Sequence, residues 1–158
     1  MRSVAAIKGH PIHPAMVAIP IGAFTVTLVA DILAYATGNL AWGDTSRYSL
    51  LVGVVGALLA AVFGLIDYFK VTMSEAGFRV ARWHLYLNLT AVALFAASLW
   101  LRFKAVDGWS VAAFAVSTLA FVIVGASGYL GGELVFKHKV GVRETADREA
   151  TELGQKSG

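Results

Sequence analysis

Apolar residues recur in four blocks along this chain, and each block is long enough to cross a membrane. A helix of about 20 apolar residues spans a hydrocarbon layer roughly 30 Å thick. The 158 residues are 58% hydrophobic and 15% charged, whereas a soluble domain carries roughly a quarter charged residues. The sequence therefore predicts an integral membrane protein and argues against a soluble domain.

We predict four membrane-spanning helices, at about residues 14–37, 46–69, 82–103 and 109–136. Pro14 stands at the first helical position, where proline is tolerated, and Gly38 follows the end of the first span. The connections are short, so neighbouring helices should pack antiparallel. The prediction is an all-α, four-helix antiparallel bundle over residues 1–143, followed by a polar cytoplasmic tail over residues 144–158.

Lysine and arginine are distributed unevenly between the two sides of this bundle. The side that carries both termini has Arg2, Lys8, Lys70, Arg79, Arg82, Lys137, Lys139 and Arg143. The opposite side has Arg47, Arg102 and Lys104. Because basic residues mark the cytoplasmic face, we expect both termini in the cytoplasm. The net charge of +3 then reports orientation, and we expect the lipid bilayer as a partner and no nucleic acid.

The histidines all fall on the side of the termini. Two of them belong to the stretch GHPIHP before the first span, one begins the third span and one follows the fourth. Two carboxylates, at the inner ends of the second and fourth spans, lie at a similar level. We expect these six potential metal ligands to converge at one end of the bundle: His10, His13, Asp67, His84, Glu133 and His138.

Local geometry supports such a cluster. Each His-Pro pair holds its histidine in extended geometry, so His10 and His13 should point in roughly the same direction. The Asn88 amide lies one turn below His84 on the same helical face. Gly128 and Gly132 form a thin face on the fourth span; such faces usually indicate close helix packing, and access for a flat ligand is the alternative.

The carboxylates have simpler interpretations as well. Asp67 can pair with Lys70 one turn away, and Glu133 can pair with Lys137. Asp31 lies about two turns inside the first span, where an ionised carboxylate is costly without a partner. We expect it to bond a neighbouring helix, while proton uptake and a second polar site remain alternatives.

A weak internal repeat is also visible. His13 and Asp67 are separated by 54 residues, and so are His84 and His138. The two helical hairpins can therefore be parallel repeats in which corresponding positions are offset by 71. Little else aligns at that offset, so duplication and coincidence both remain open.

The combination of GHPIHP, GLIDY, a histidine opening the third span and GYLGGELVFKHKVGV resembles a widespread bacterial family of predicted membrane proteins with a domain of unknown function. The resemblance covers roughly Gly9 to Val142. Members occur alone or joined to Rieske-type or c-type cytochrome domains, which implies a link to redox chemistry in the bacterial inner membrane. It further implies that the important positions are His10, His13, Asp67, His84, Gly131, Gly132 and His138.

Three functions remain open. The first is a b-type haem protein that exchanges electrons with a redox partner, with His84 and His138 as axial ligands and His10 or His13 as alternates. The second is a transition-metal site for Zn, Fe, Cu or Mn, and the third is an accessory subunit in which the polar cluster is a structural clasp. The residues expected to contact a haem are His10, His13, His84, Asn88, Gly128, Gly131, Gly132 and His138.

A covalent enzyme is disfavoured because no serine stands in a recognisable nucleophile motif. The chain has no cysteine, which excludes disulfides, thiolate metal sites and iron–sulfur clusters bound by this chain. The small-residue faces are compatible with a homodimer, although nothing in the sequence selects its interface.

Overall fold

The computed structural model describes residues 3–105 and 109–142. Two short strands precede five helices: β1 (Ala6–Ile7), β2 (His10–Pro11), α1 (Ile12–Met16), α2 (Ala18–Thr37), α3 (Ala41–Lys70), α4 (Glu75–Lys104) and α5 (Val111–Phe136). Within the described residues, four helical segments are long and apolar enough to cross a membrane: Ile12–Thr37, Ala41–Lys70, Glu75–Lys104 and Val111–Phe136. The predicted all-α four-helix membrane bundle is confirmed. The predicted tail, residues 144–158, lies outside the described residues.

Side chains and backbone conformation define the helix ends. Gly38 ends α2 in the left-handed conformation, with φ of 66°, which glycine adopts at little cost. The hydroxyl of Ser74 accepts the amide of Gly77 at the start of α4. Ser110 caps α5 in the same way. These caps satisfy amide groups that the first turn of a helix leaves without partners.

Two of the helices extend beyond the predicted spans. The predicted third span starts at about residue 82, whereas α4 begins at Glu75. The predicted second span starts at about residue 46, whereas α3 begins at Ala41. The hydropathy pattern marks only the lipid-embedded part, while the backbone hydrogen bonds continue through polar turns outside it. As a consequence, His84 lies in the third turn of its helix and not at its start.

The N-terminal segment folds back on one end of the bundle. Strands β1 and β2 pair antiparallel, and Lys8 and Gly9 form the connecting turn with φ of 50° and 82°. Two positive φ values are typical of a tight hairpin turn. The helix that follows is interrupted at Val17. Pro20 in the next turn has no amide hydrogen to donate, and its ring disfavours a continuous helix there.

The helices are arranged as two hairpins. Helix α2 packs along α3, and α4 packs along α5; the hairpins then meet through α3 with α4 and α2 with α5. Helices α2 and α4 therefore lie diagonally opposite each other in the four-helix bundle. The buried core is small and consists of Phe24, Leu50, Val54, Ala91, Phe95, Leu99 and Ala120.

Many large apolar side chains point outward. Val122 is 64% exposed, Leu58 is 54% exposed and Leu119 is 54% exposed, all within spans. Such a surface is unfavourable in water but suits hydrocarbon, which solvates leucine and valine as well as a protein interior does. Trp83 and Trp100 are exposed towards opposite ends of α4, where an interfacial aromatic belt would lie.

The structure extends the internal repeat well beyond the histidines. Phe24 and Phe95 are 71 positions apart, and their rings stack across the centre with centroids 3.7 Å apart and planes at 14°. Residues that face their own equivalents must lie on the axis that relates the two hairpins. Further buried pairs at this offset include Thr27 with Ser98, Asp31 with Arg102, and Ser46 with Ser117. These pairs place corresponding residues of the two hairpins around the same part of the core.

Candidate functional site

Two histidines occupy similar environments at the end of the bundle that carries the N-terminal hairpin. His13 Nδ1 lies 2.8 Å from the carbonyl oxygen of Ala60 on α3. A Cβ atom added to Gly64, one turn further on, would lie 3.0 Å from the His13 ring. Helix α3 thus provides both a hydrogen-bond acceptor and a flat seat for the imidazole.

His84 repeats this arrangement on the second hairpin. Its Nδ1 lies 2.8 Å from the carbonyl oxygen of Ser127 on α5, and a Cβ atom on Gly131 would lie 3.1 Å from its ring. In both cases the carbonyl and the glycine are four residues apart on the second helix of the hairpin. His13 and His84 are themselves 71 residues apart in the sequence.

The hydrogen bonds define the tautomer of both rings. A carbonyl oxygen can only accept, so Nδ1 carries the proton in each neutral imidazole and Nε2 keeps a lone pair. Histidines that bind metal ions commonly donate their other ring nitrogen to a backbone carbonyl in this way. This end of the bundle therefore holds two oriented Nε2 atoms, each with a lone pair of the kind that ligates a metal ion.

The surroundings of the two Nε2 atoms differ. Asn88 Nδ2 lies 3.1 Å from His84 Nε2 and also donates to Ser127 Oγ and to the His84 carbonyl, at 2.7 Å and 2.9 Å. The predicted position of this amide below the imidazole is thus found. Val17 occupies the equivalent position on the first hairpin, and within residues 3–105 and 109–142 no group hydrogen-bonds His13 Nε2.

The remaining predicted ligands lie apart from these two rings. Asp67 does not pair with Lys70; its carboxylate accepts Ser3 Oγ at 2.6 Å and the amides of Val4 and Ala5 at 2.8 Å and 3.0 Å. It therefore holds the N-terminal segment against the end of α3. His10 is exposed on β2.

At the end of α5, Glu133 pairs with Lys137 at 2.9 Å, as one of the two interpretations predicted, and this bond raises the pKa of Lys137. His138 packs beside Gly77, where a Cβ atom would lie 3.3 Å from its Nδ1. Across the described ranges, no group of three or more histidine, aspartate or glutamate residues could hold a metal ion.

The glycines on α5 divide into two kinds. Gly131 is packed under His84, whereas a Cβ atom on Gly125, Gly128 or Gly132 would meet nothing within 4 Å. Within the described residues, Gly128 and Gly132 therefore do not pack against another helix. Ser127 is not among the predicted site residues, although its position beside Gly128 on a small-residue face is a signal in the sequence.

A second polar cluster lies at the opposite end of the bundle. Arg102 donates to both carboxylate oxygens of Asp31, at 2.8 Å and 2.7 Å, and both side chains are fully buried. Ser46 Oγ donates to Asp31 at 2.6 Å, and Arg102 donates to Ser117 Oγ at 3.1 Å. Trp109 Nε1 also reaches the carboxylate, at 3.1 Å.

This cluster explains how a carboxylate is accommodated inside the first span. The carboxylate of Asp31 bonds neighbouring helices, as expected, and all four spans contribute a side chain to the cluster. Arg102 was counted with the charges at the outer face, but it is buried and forms the counter-ion. Such a pair offsets the cost of placing charge in a low-dielectric interior, because its geometry is bidentate and the carboxylate receives further hydrogen bonds.

The architecture defines an all-α integral membrane protein with four spans, a buried ion-pair cluster at one end and paired histidines at the other. The chain belongs to the predicted membrane protein family DUF2231, whose sequence model matches residues 9–144. This match confirms the family resemblance. No curated protein and no solved structure matches the chain.

Proposed function

We propose that this protein is a redox-associated protein of the bacterial inner membrane that binds one b-type haem, with His13 and His84 as axial ligands. The observation that carries the proposal is the equivalence of the two imidazoles, each oriented by a backbone carbonyl 2.8 Å from Nδ1. A haem with two axial imidazoles supplies reversible one-electron exchange at iron. His13 replaces His138 in the ligand pair favoured from the sequence, because His138 packs against Gly77.

The number of available ligands favours a porphyrin over a bare metal ion. A porphyrin provides four nitrogen ligands itself and needs only two from the protein. A structural zinc ion, by comparison, usually takes four protein ligands and a catalytic one takes three. In the described part of the chain, no such group of three His, Asp or Glu is assembled.

Binding through His84 requires a local rearrangement of Asn88. The amide must leave His84 Nε2, but it retains its contacts with Ser127 Oγ and the His84 carbonyl. The open space over Gly128 and Gly132 supports the idea that a flat group can approach α5 near this position. Asn88 is then a positioning residue that holds the imidazole plane until the ligand binds.

The proposal includes an orientation and partners. Both termini lie in the cytoplasm, which is supported by the excess of lysine and arginine at the histidine end. A redox protein exchanges electrons with the haem from that side. The unpacked face of Gly125, Gly128 and Gly132 supports a homodimer formed through α5, since small residues allow close approach of helices in membranes.

Visible spectroscopy of the purified full chain tests the haem proposal. Protein expressed with ample iron and haem precursor is expected to show a Soret band and the reduced α band of a b-type haem. His13→Gln and His84→Gln should each abolish most of this absorbance, whereas His10→Gln and His138→Gln should retain it. Glutamine keeps an amide donor for the carbonyl, so the loss reports ligation; full absorbance in both site variants would contradict the ligand assignment.

A second candidate function is a cofactor-free accessory subunit in which the imidazoles hold each hairpin together. It is favoured by the observation that both ring nitrogens of His84 already have partners. This alternative predicts a colourless, metal-free protein in which His84→Ala lowers the melting temperature. A colourless protein with one transition-metal ion per chain would instead support the bare-metal interpretation.

A further inference from the structure

A basic depression lies at the start of α4, on the same end of the bundle as the histidines but outside their site. It has a volume of about 370 Å³ and is lined by Met73, Glu75, Phe78, Arg79 and Arg82. Two of these residues precede or begin the helix, and the others lie on its first two turns. The depression is therefore formed by the α3–α4 connection together with the exposed face of α4.

The two arginines of this depression carry charge that the described residues do not neutralise. Arg79 and Arg82 are exposed and three residues apart on one helical face. Within residues 3–105 and 109–142, neither guanidinium has an ion pair or a hydrogen bond with the protein. Arg82 instead lies over the Phe78 ring, at 5.9 Å from its centroid. The two cations outnumber the one carboxylate, Glu75, that lines the depression, and the remaining positive charge favours the binding of an anion.

Neighbouring aromatic residues indicate the level of the depression relative to the membrane surface. Trp83 is 61% exposed and Tyr86 is 53% exposed on the next turns of α4, and such rings concentrate at the level of lipid headgroups. Phe78 and Met73 add apolar surface beside the guanidinium groups. The depression thus combines cations with apolar walls at the boundary between water and hydrocarbon.

We propose that this depression binds the phosphodiester of an anionic phospholipid such as phosphatidylglycerol. Arg79 and Arg82 bind the phosphate oxygens, since guanidinium groups match phosphate geometry. Met73 and Phe78 contact the carbon atoms of the glycerol backbone. Glu75 adds one negative charge at the edge, which favours a singly charged phosphodiester over a doubly charged inorganic phosphate. This site is independent of the proposed haem.

Native mass spectrometry of the full chain in detergent, titrated with defined lipids, tests this site. Phosphatidylglycerol is expected to bind more tightly than phosphatidylcholine. Arg79→Gln/Arg82→Gln should weaken binding of phosphatidylglycerol by about 30-fold, because each basic residue contributes roughly a factor of five at an anionic lipid surface. Arg47→Gln, at the opposite end of the bundle, is the matched control and should leave the affinity unchanged.

The controls separate the sources of phosphate and the effects of folding. Melting temperature is measured for each variant, and the single variant Arg82→Gln provides a milder change of about fivefold. Equal affinity for the two lipids, or equal weakening by Arg47→Gln, would overturn the proposal. So would displacement of the lipid by inorganic phosphate at millimolar concentration, which would assign the depression to a free anion.

Discussion

Gly64 and Gly131 each allow a histidine ring to pack closely against a helix, which a residue with a side chain would prevent. Each lies beneath an imidazole, at a point where a Cβ atom would approach the ring to 3.0 Å or 3.1 Å. Real side chains rarely tolerate such a contact, so the ring would have to move away from its carbonyl partner. These glycines therefore define where the two Nε2 atoms point, although glycine in a helix interior lowers helix stability.

Substitution of these glycines tests whether they position the imidazole rings in addition to affecting the stability of the helix. Gly64→Ala and Gly131→Ala are each expected to destabilise the protein by about 1–3 kcal/mol, the usual cost of overpacking, and to reduce haem absorbance. Gly22→Ala, which lies outside the proposed haem site, meets open space and should be neutral or slightly stabilising. Thermal unfolding in detergent and the Soret absorbance provide the two measurements. A larger loss in Gly22→Ala than in Gly64→Ala would contradict this interpretation.

At the level of the helices, close packing depends on the stack of Phe24 and Phe95. The Phe24 ring from α2 lies directly against Gly53 of α3 and stacks on Phe95 of α4. One aromatic side chain thus joins three helices, and both rings are buried. The glycine is required because the ring occupies the place where a side chain would stand.

Gly53→Ala is expected to disrupt this contact between helices. The added Cβ would overlap the Phe24 ring, which cannot shift without losing its stack on Phe95. We expect a destabilisation of about 1–3 kcal/mol, measured by thermal unfolding in detergent. Gly22→Ala is the control, because a Cβ atom there meets nothing within 4 Å. Equal melting temperatures for Gly53→Ala and the unmodified protein would contradict the packing described here.

The sequence predicts the number of spans but not the full length of each helix. Hydropathy identifies the part of α4 that lies in lipid, whereas its first two turns depend on Ser74 and the hydrogen bonds that it begins. The pairing of His84 with Asn88 follows from helical spacing alone. The pairing of Asp31 with Arg102 does not, because the rotation of each helix about its axis is set by packing across the bundle.

On the scale of the whole molecule, the chain is two similar hairpins around one axis. Each hairpin supplies a histidine near one end, a phenylalanine in the middle and a charged residue near the other end. The supporting serines are equivalent too: Ser46 bonds Asp31, and Ser117 bonds Arg102, each across 15 residues. This symmetry makes the two charged positions structurally comparable.

Exchange of the two charges tests this equivalence. Arg102→Met alone leaves a buried carboxylate without its counter-ion and should cost about 3–5 kcal/mol, or roughly 10 °C in melting temperature. The double variant Asp31→Arg/Arg102→Asp restores a pair beside Ser46 and Ser117 and should recover about half of that loss. Arg47→Met removes a pair with Asp44 that is only partly buried, so the remaining carboxylate stays in contact with water and the loss of stability should be smaller than for Arg102→Met. A double variant no more stable than Arg102→Met would show that the positions are not equivalent.

The opposite signs of Asp31 and Arg102 also determine which hairpins can associate. Two first hairpins brought together would place carboxylate against carboxylate, and two second hairpins would place guanidinium against guanidinium, in surroundings that cannot solvate either. Only one hairpin of each kind gives a neutral centre. This arrangement therefore disfavours the association of two like hairpins when neighbouring copies insert and fold in the same membrane.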